Sequence, residues 1–145
     1  MPRDFRPVDL DDLDALATAA DAAGLARLMG MRLVEVGPGL ARARMTIDER
    51  HENFYGQTHG AALFALADHV CSVAGNSAGR RAVMVSCSVY LLGNPEPGAT
   101  IEAIGRLTRT GRNLGHIEIE IRDQQDRRIL QKVAQVFFLD PPAAG

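Results

Sequence analysis

Residues 59–77, HGAALFALADHVCSVAGNS, constrain the fold of this chain more than any other stretch. Over that run Ala61, Leu63, Phe64, Leu66, Ala67, Val70, Val73 and Ala74 leave a helix almost no polar side. A helix that is apolar nearly all round cannot rest on a surface and has to be wrapped. Asn76, Ser77 and Gly79 close it.

The wrapping has to come from strands, because the rest of the chain supplies little else. AVMVSCSVYLL alternates Val83, Val85, Cys87 and Val89 against Met84, Ser86, Ser88 and Tyr90. ATIEAIGRLTRT, HIEIEIR and RILQKVAQVFFL follow, the second with Ile117, Ile119 and Ile121 in phase and Glu118 and Glu120 out of phase. The joins GNPEPG, GRN and DQQDR are hairpin-sized, which implies antiparallel pairing. Upstream, MRLVEV and LARARMTI read as a hairpin turned at Pro38 between Gly37 and Gly39. There Ala41, Ala43, Met45 and Ile47 face one way and Leu40, Arg42, Arg44 and Thr46 the other. Residues 9–29 read as helix, with Asp11, Asp12 and Asp14 where the helix dipole favours negative charge. Gly24 ends or bends this helix, and Gly30 stops any helical turns beyond it. DERHENFYGQT is a polar loop before the long helix. The fold class expected is α+β: a curved antiparallel sheet wrapped around one long central helix, with an N-terminal helix. Residues 1–145 are expected to form a single domain, with an N-terminal helical segment at 1–29 and a frayed tail at 141–145.

Composition narrows the function. The net charge of −2 gives no general pull towards nucleic acid or an anionic membrane. Trp is absent and aromatics are 5%, too few for a base-stacking platform. Cys71 and Cys87 sit in apolar stretches and read as small buried hydrophobes. Neither belongs to a CxxC pair or a Cys/His ligand spacing, so no metal site is expected. The N-terminus, with Asp11, Asp12, Asp14 and Asp21, is too acidic for a signal peptide, and no window approaches the ~18 apolar residues of a membrane span. The compartment expected is the cytoplasm.

The long helix carries one acid, Asp68, among Leu66, Ala67 and Val70. An ionised carboxylate is costly to bury unless it is paired or functional. Asp68 can face solvent or cap a neighbouring element, or it can be a base or nucleophile tuned by its site. His59 reads equally as a loop residue, and Gly60 as a tight helix entry. Gly60 also opens the helix, where a free N–H and the dipole suit a carbonyl oxygen turning into an oxyanion. Asp68 lies eight residues on, about 12 Å along the axis, too far for both to act on one carbonyl carbon within one helix. If the two cooperate, Gly60 of one copy meets Asp68 of another, and the site is shared across a dimer interface.

The run NFYGQTHGAALFALAD, Asn53 to Asp68, resembles the signature of hotdog-fold acyl-CoA thioesterases of the phenylacetic-acid-degradation type. The likeness extends over roughly residues 28–140, including GMRLVEVGPG and the strand–turn–strand join through NPEPG. It implies a sheet wrapped on a helix, and hydrolysis of a small aromatic or short- to medium-chain acyl-CoA. It further implies Asp68 as general base or nucleophile, the Gly60 N–H as oxyanion donor, Asn53 positioning the water or thioester, and His59 bracing the helix start. Phe54, Tyr55, Phe64 and Met84 would shape the acyl site. Thiolate is a good leaving group, so a base and an oxyanion donor suffice without metal or redox cofactor. The partners implied are acyl-CoA and further copies of the chain, as a dimer and a pair of dimers.

Two departures stand out. Ala61 replaces the second glycine of the usual pair, and Met84 falls where related enzymes often carry a Ser or Thr that orients water. Ser86 shares the face of Met84 in a regular strand but lies one repeat away, about 6.6 Å along. Arg109 and Arg112, flanking the GRN turn, are candidates for the CoA phosphates. Two rivals remain: a non-catalytic acyl-CoA-binding protein, which Met84 favours, and a dehydratase acting on acyl-carrier-protein substrates. The second needs a His set against an acid, and His69 points ~100° away from its neighbour Asp68 on a helix.

Overall fold

Asp12 begins the first ordered element by accepting hydrogen bonds from the N–H groups of Asp14 and Ala15. The computed structural model describes residues 4–144. Helix α1 spans Leu13–Asp21 and α2 spans Gly24–Met29. The helix expected over 9–29 is thus two short ones, starting later because Asp12 caps it, with Gly24 opening the second. Gly30, at φ +71°, ends α2 in the left-handed conformation.

Strands β1 (Arg32–Gly37) and β2 (Leu40–Thr46) form the first hairpin, and α3 runs from Gly60 to Asn76. Then come β3 (Ala82–Leu91), β4 (Thr100–Thr110), β5 (Leu114–Arg122) and β6 (Arg128–Phe138). The six strands form one sheet in the order β1-β2-β4-β5-β6-β3, every pair antiparallel. This is the curved sheet around a central helix expected from the sequence, an α+β hotdog architecture.

One sheet face is nearly all apolar: Ala41, Ala43 and Met45 on β2, Ile101 and Ala103 on β4, Ile117, Ile119 and Ile121 on β5, and Leu130, Ala134, Val136 and Phe138 on β6. Leu63, Leu66, Ala67, Val70 and Ala74 of α3 complete this core. Gly105 lets the helix sit close, since a Cβ there would lie 3.1 Å from the Val70 carbonyl oxygen. The other face is charged, with Glu102 bonded to Arg42 and Arg44, and Glu120 to Arg122 and Arg128.

β3 departs from the regular alternation. It closes one edge of the sheet, and Val83, Met84, Val85, Tyr90 and Leu91 are exposed. The register slips between Met84 and Ser86, leaving Val85 without a partner on β6. Met84 therefore pairs with core-facing Val136, while Ser86 pairs with Gln135 on the opposite face and donates to its Oε1 at 3.3 Å. Ser86 does not share the face of Met84, contrary to the unbroken alternation. Cys87 returns to the core-facing side opposite Ala134 yet is exposed, because no strand covers the β3 edge. The expected burial holds for Cys71 alone.

Candidate active site

The loop before α3 is built by its own side chains. Asp48 caps the 3₁₀ turn Glu49–His51, and buried His51 accepts the Asp48 N–H at Nδ1 while its Nε2 donates to Met29 O at 2.8 Å. Asn53 Oδ1 accepts from the N–H groups of Tyr55 and Gln57. The loop is tied to the β3–β4 turn through the Thr58 hydroxyl, which donates to Pro95 O at 2.8 Å. These ties deliver His59 as the N-cap of α3, its Nδ1 accepting from Ala61 N–H at 3.0 Å. Among the described residues the Gly60 N–H has no acceptor. Leu91 stands over it, since a Cβ on Gly60 would meet Leu91 Cδ1 at 2.9 Å. Phe54 and Tyr55 are exposed at the loop tip, their ring centroids 4.2 Å apart.

Asp68 lies more than two helical turns along, on a cavity of about 340 Å³ between α3 and the start of β3. Cys71, Ser72, Ala82, Val83, Met84 and Val136 complete the lining. Asp68 Oδ1 accepts from Lys132 Nζ at 3.1 Å. Lys132 is wholly buried, whereas the Asp68 side chain is 46% exposed. The Lys132 ammonium also lies 4.4 Å from the centroid of the Phe64 ring. Burial pushes the Cys71 thiol up to about 11, so it is protonated at neutral pH and is no thiolate nucleophile.

The fold thus brings Asp68 and Met84 to one cavity, whereas Phe64 is not among its lining and packs against Lys132, the partner of Asp68. Asn53, Phe54, Tyr55, His59 and Gly60 gather at the head of α3, and none of them lines the cavity at Asp68. Ser86 is turned to the other face of the sheet. Arg109 and Arg112 are exposed and have no ion pair among the described residues. Their turn lies where β3 begins, because Arg80 Nη2 donates to Arg112 O at 2.7 Å. His69 is engaged away from Asp68, with Nε2 3.4 Å from Asp21 Oδ1. Among the described residues no three His, Cys, Asp or Glu side chains converge as metal ligands, and no helix is long and apolar enough to cross a membrane.

The sequence reading missed Lys132, although the signal was there. Leu130, Lys132, Ala134, Val136 and Phe138 share one phase of β6, so strict alternation sends the lysine into the core. Ser72 was also missed. It comes four residues after Asp68, on the same helix face, and puts a hydroxyl on the cavity.

Residues 55–130 match the model of the thioesterase superfamily. The chain is 31% identical over 104 residues to the acyl-coenzyme A thioesterase PaaI of Escherichia coli, covering 72% of this chain and 74% of that protein. The structure of the E. coli PaaI protein from the phenylacetic acid degradation operon superposes with a TM-score of 0.83 at 25% identity, covering 91% of this chain and 97% of that one. A Streptococcus mutans protein bound to acetyl CoA shares the fold, with a TM-score of 0.74 at 22% identity over 77% of this chain and 90% of its own. The chain belongs to the thioesterase superfamily. Within that superfamily it is PaaI-like, a hotdog-fold thioester hydrolase.

Proposed function

We propose that this hydrolase cleaves a small aromatic or short- to medium-chain acyl-CoA to the free acid and CoA. The observation that carries the reading is the contrast between the head and the middle of α3. A carboxylate opens on a cavity midway along the helix, and an N–H without an acceptor among the described residues heads it. In the dimer proposed, the Gly60 N–H of one copy polarises a thioester carbonyl lying against Asp68 of the other. Asp68 takes a proton from water as the water attacks, or attacks the carbonyl carbon itself to give a mixed anhydride that water then hydrolyses to the free acid, regenerating the carboxylate. The oxyanion that forms is held by the N–H, and its collapse breaks the C–S bond and expels the CoA thiolate. Asn53 and His59 set the loop that frames this N–H, and Ser72 offers the hydroxyl that Met84 lacks. Arg109 and Arg112, free of ion pairs among the described residues and near the start of β3, suit the CoA phosphates.

Support for the dimer is the exposed apolar β3 edge, an open ladder next to the cavity. Pairing of dimers into a tetramer and a cytoplasmic location belong to the same proposal. His69 is held by Asp21, away from Asp68, so it does not form the His–acid pair with Asp68 that a dehydratase at this cavity would use. Met84 favours the second reading, a binding protein without turnover.

Free-thiol release over a panel of acyl-CoA esters tests the proposal. Wild type is expected to turn over aryl or medium-chain esters, and Asp68→Asn to show no measurable hydrolysis. Tight CoA-ester binding without turnover across the panel would move the assignment to the binding protein.

A further inference from the structure

Lys132 projects from the middle of β6 between Ile119 of β5 and Val89 of β3 in one cross-strand row, on the face that packs against α3. A leucine or methionine would fill that space without the cost of desolvating an ammonium. The ammonium meets Asp68 Oδ1 at 3.1 Å and the Phe64 ring at 4.4 Å. Both come from α3, four residues apart on one helix face. The dependence is one-sided. Lys132 has no water and needs Asp68, whereas Asp68 is half exposed and has solvent to hand. What the acid receives is orientation. Oδ1 is taken, and Oδ2 has no partner among the described residues.

We propose that Lys132 is a positioning residue for thioester hydrolysis. It clamps Asp68 Oδ1 from within the core and so presents Oδ2 to the cavity as the reacting oxygen. The proposal rests on Asp68 being the reacting carboxylate. Lys132 does not itself touch substrate or carry a proton in the reaction. With Met84 unable to donate a hydrogen bond, the clamp comes from the core side of the carboxylate instead of from the strand beside the cavity.

Steady-state kinetics of Lys132→Met, Lys132→Gln and Asp68→Asn, each checked for fold by circular dichroism, test it. Lys132→Met is expected to lose about 100-fold in kcat with KM within about twofold, the signature of a misaimed group rather than a damaged binding site. Lys132→Gln keeps a donor and is expected to hold kcat within about tenfold of wild type, although a buried amide makes it the less stable of the two. A lysine that only fills the core gives the reverse ranking, because methionine packs better there. A loss of less than about tenfold in Lys132→Met, or activity that tracks stability across the variants, overturns the clamp. If Lys132→Met does not fold, Lys132→Gln decides alone: kcat within about tenfold supports the clamp and a larger loss overturns it. Hydrolysis by Asp68→Asn overturns the role of Asp68 and the clamp with it. Inactive Asp68→Asn beside fully active Lys132→Met overturns the clamp only.

Discussion

Lys132 Nζ donates to Asp68 Oδ1 at 3.1 Å, with the lysine at 0% exposure and the aspartate side chain at 46%. Removing the acid therefore does more than remove a reacting group. It strands an ammonium in the core without its carboxylate, beside the Phe64 ring. Loss of one partner of a fully buried pair costs about 3–5 kcal/mol, and the half-exposed site of Asp68 lets water reach part of the gap, so the cost here is expected below that range. Urea unfolding of Asp68→Ala should show a clear drop in midpoint, and Asp68→Ala/Lys132→Met should recover most of it. Equal midpoints for the single and double variants would mean the lysine does not depend on its partner.

The β3 edge carries a second expectation. Val85 has no partner on β6 and is 56% exposed, so a lysine there costs the single chain little while placing a charge on the free edge. If the proposed dimer forms through this edge, sedimentation of Val85→Lys is expected to show its dissociation with the fold intact, and hydrolysis should fall with it. An active, monomeric Val85→Lys would show that Gly60 and Asp68 need no second copy.

Acid should loosen the loop that sets up the head of α3. The Arg50 side chain, first of all by its hydrogen bonds, holds the Asp48 carboxyl at about 2, below its ordinary 3.8. A carboxyl depressed in the folded state adds stability above its unfolded value, and that contribution disappears as pH falls through the folded one. Wild type and Asp48→Asn should therefore differ in urea midpoint at pH 6 and converge between pH 4 and about 2. A constant gap across that window would remove Asp48 as its source.

Much of this architecture was legible in the residue pattern, for identifiable reasons. Ile117, Ile119 and Ile121 alternate without interruption and are all buried, and Leu63, Leu66, Ala67, Val70, Val73 and Ala74 of the helix at 60–76 are buried, while Ala61 is exposed and Phe64 only partly covered. β3 was less legible because alternation reports faces only while the register holds. The slip at Val85 moved Ser86 to the far face, and the open edge exposed Cys87, features set by pairing with β6 rather than by local sequence. Asp68 looked anomalous from sequence. Its partner Lys132 lies 64 residues away on another strand, and a lysine is read by habit as a surface residue. The separation of Gly60 at the head of α3 from Asp68 at its middle follows from helical rise alone and needs no tertiary information.

The buried lysine also shapes how this lineage can drift. A chain that loses the carboxylate first must survive with a stranded charge, and one that loses the lysine first gives up the clamp proposed for that carboxylate. Abandoning chemistry for simple ligand storage would take two substitutions, with the less fit intermediate in between. On that reading the ion pair under α3 ties the acid to folding, so that losing the carboxylate carries a cost in stability whether or not its activity is needed.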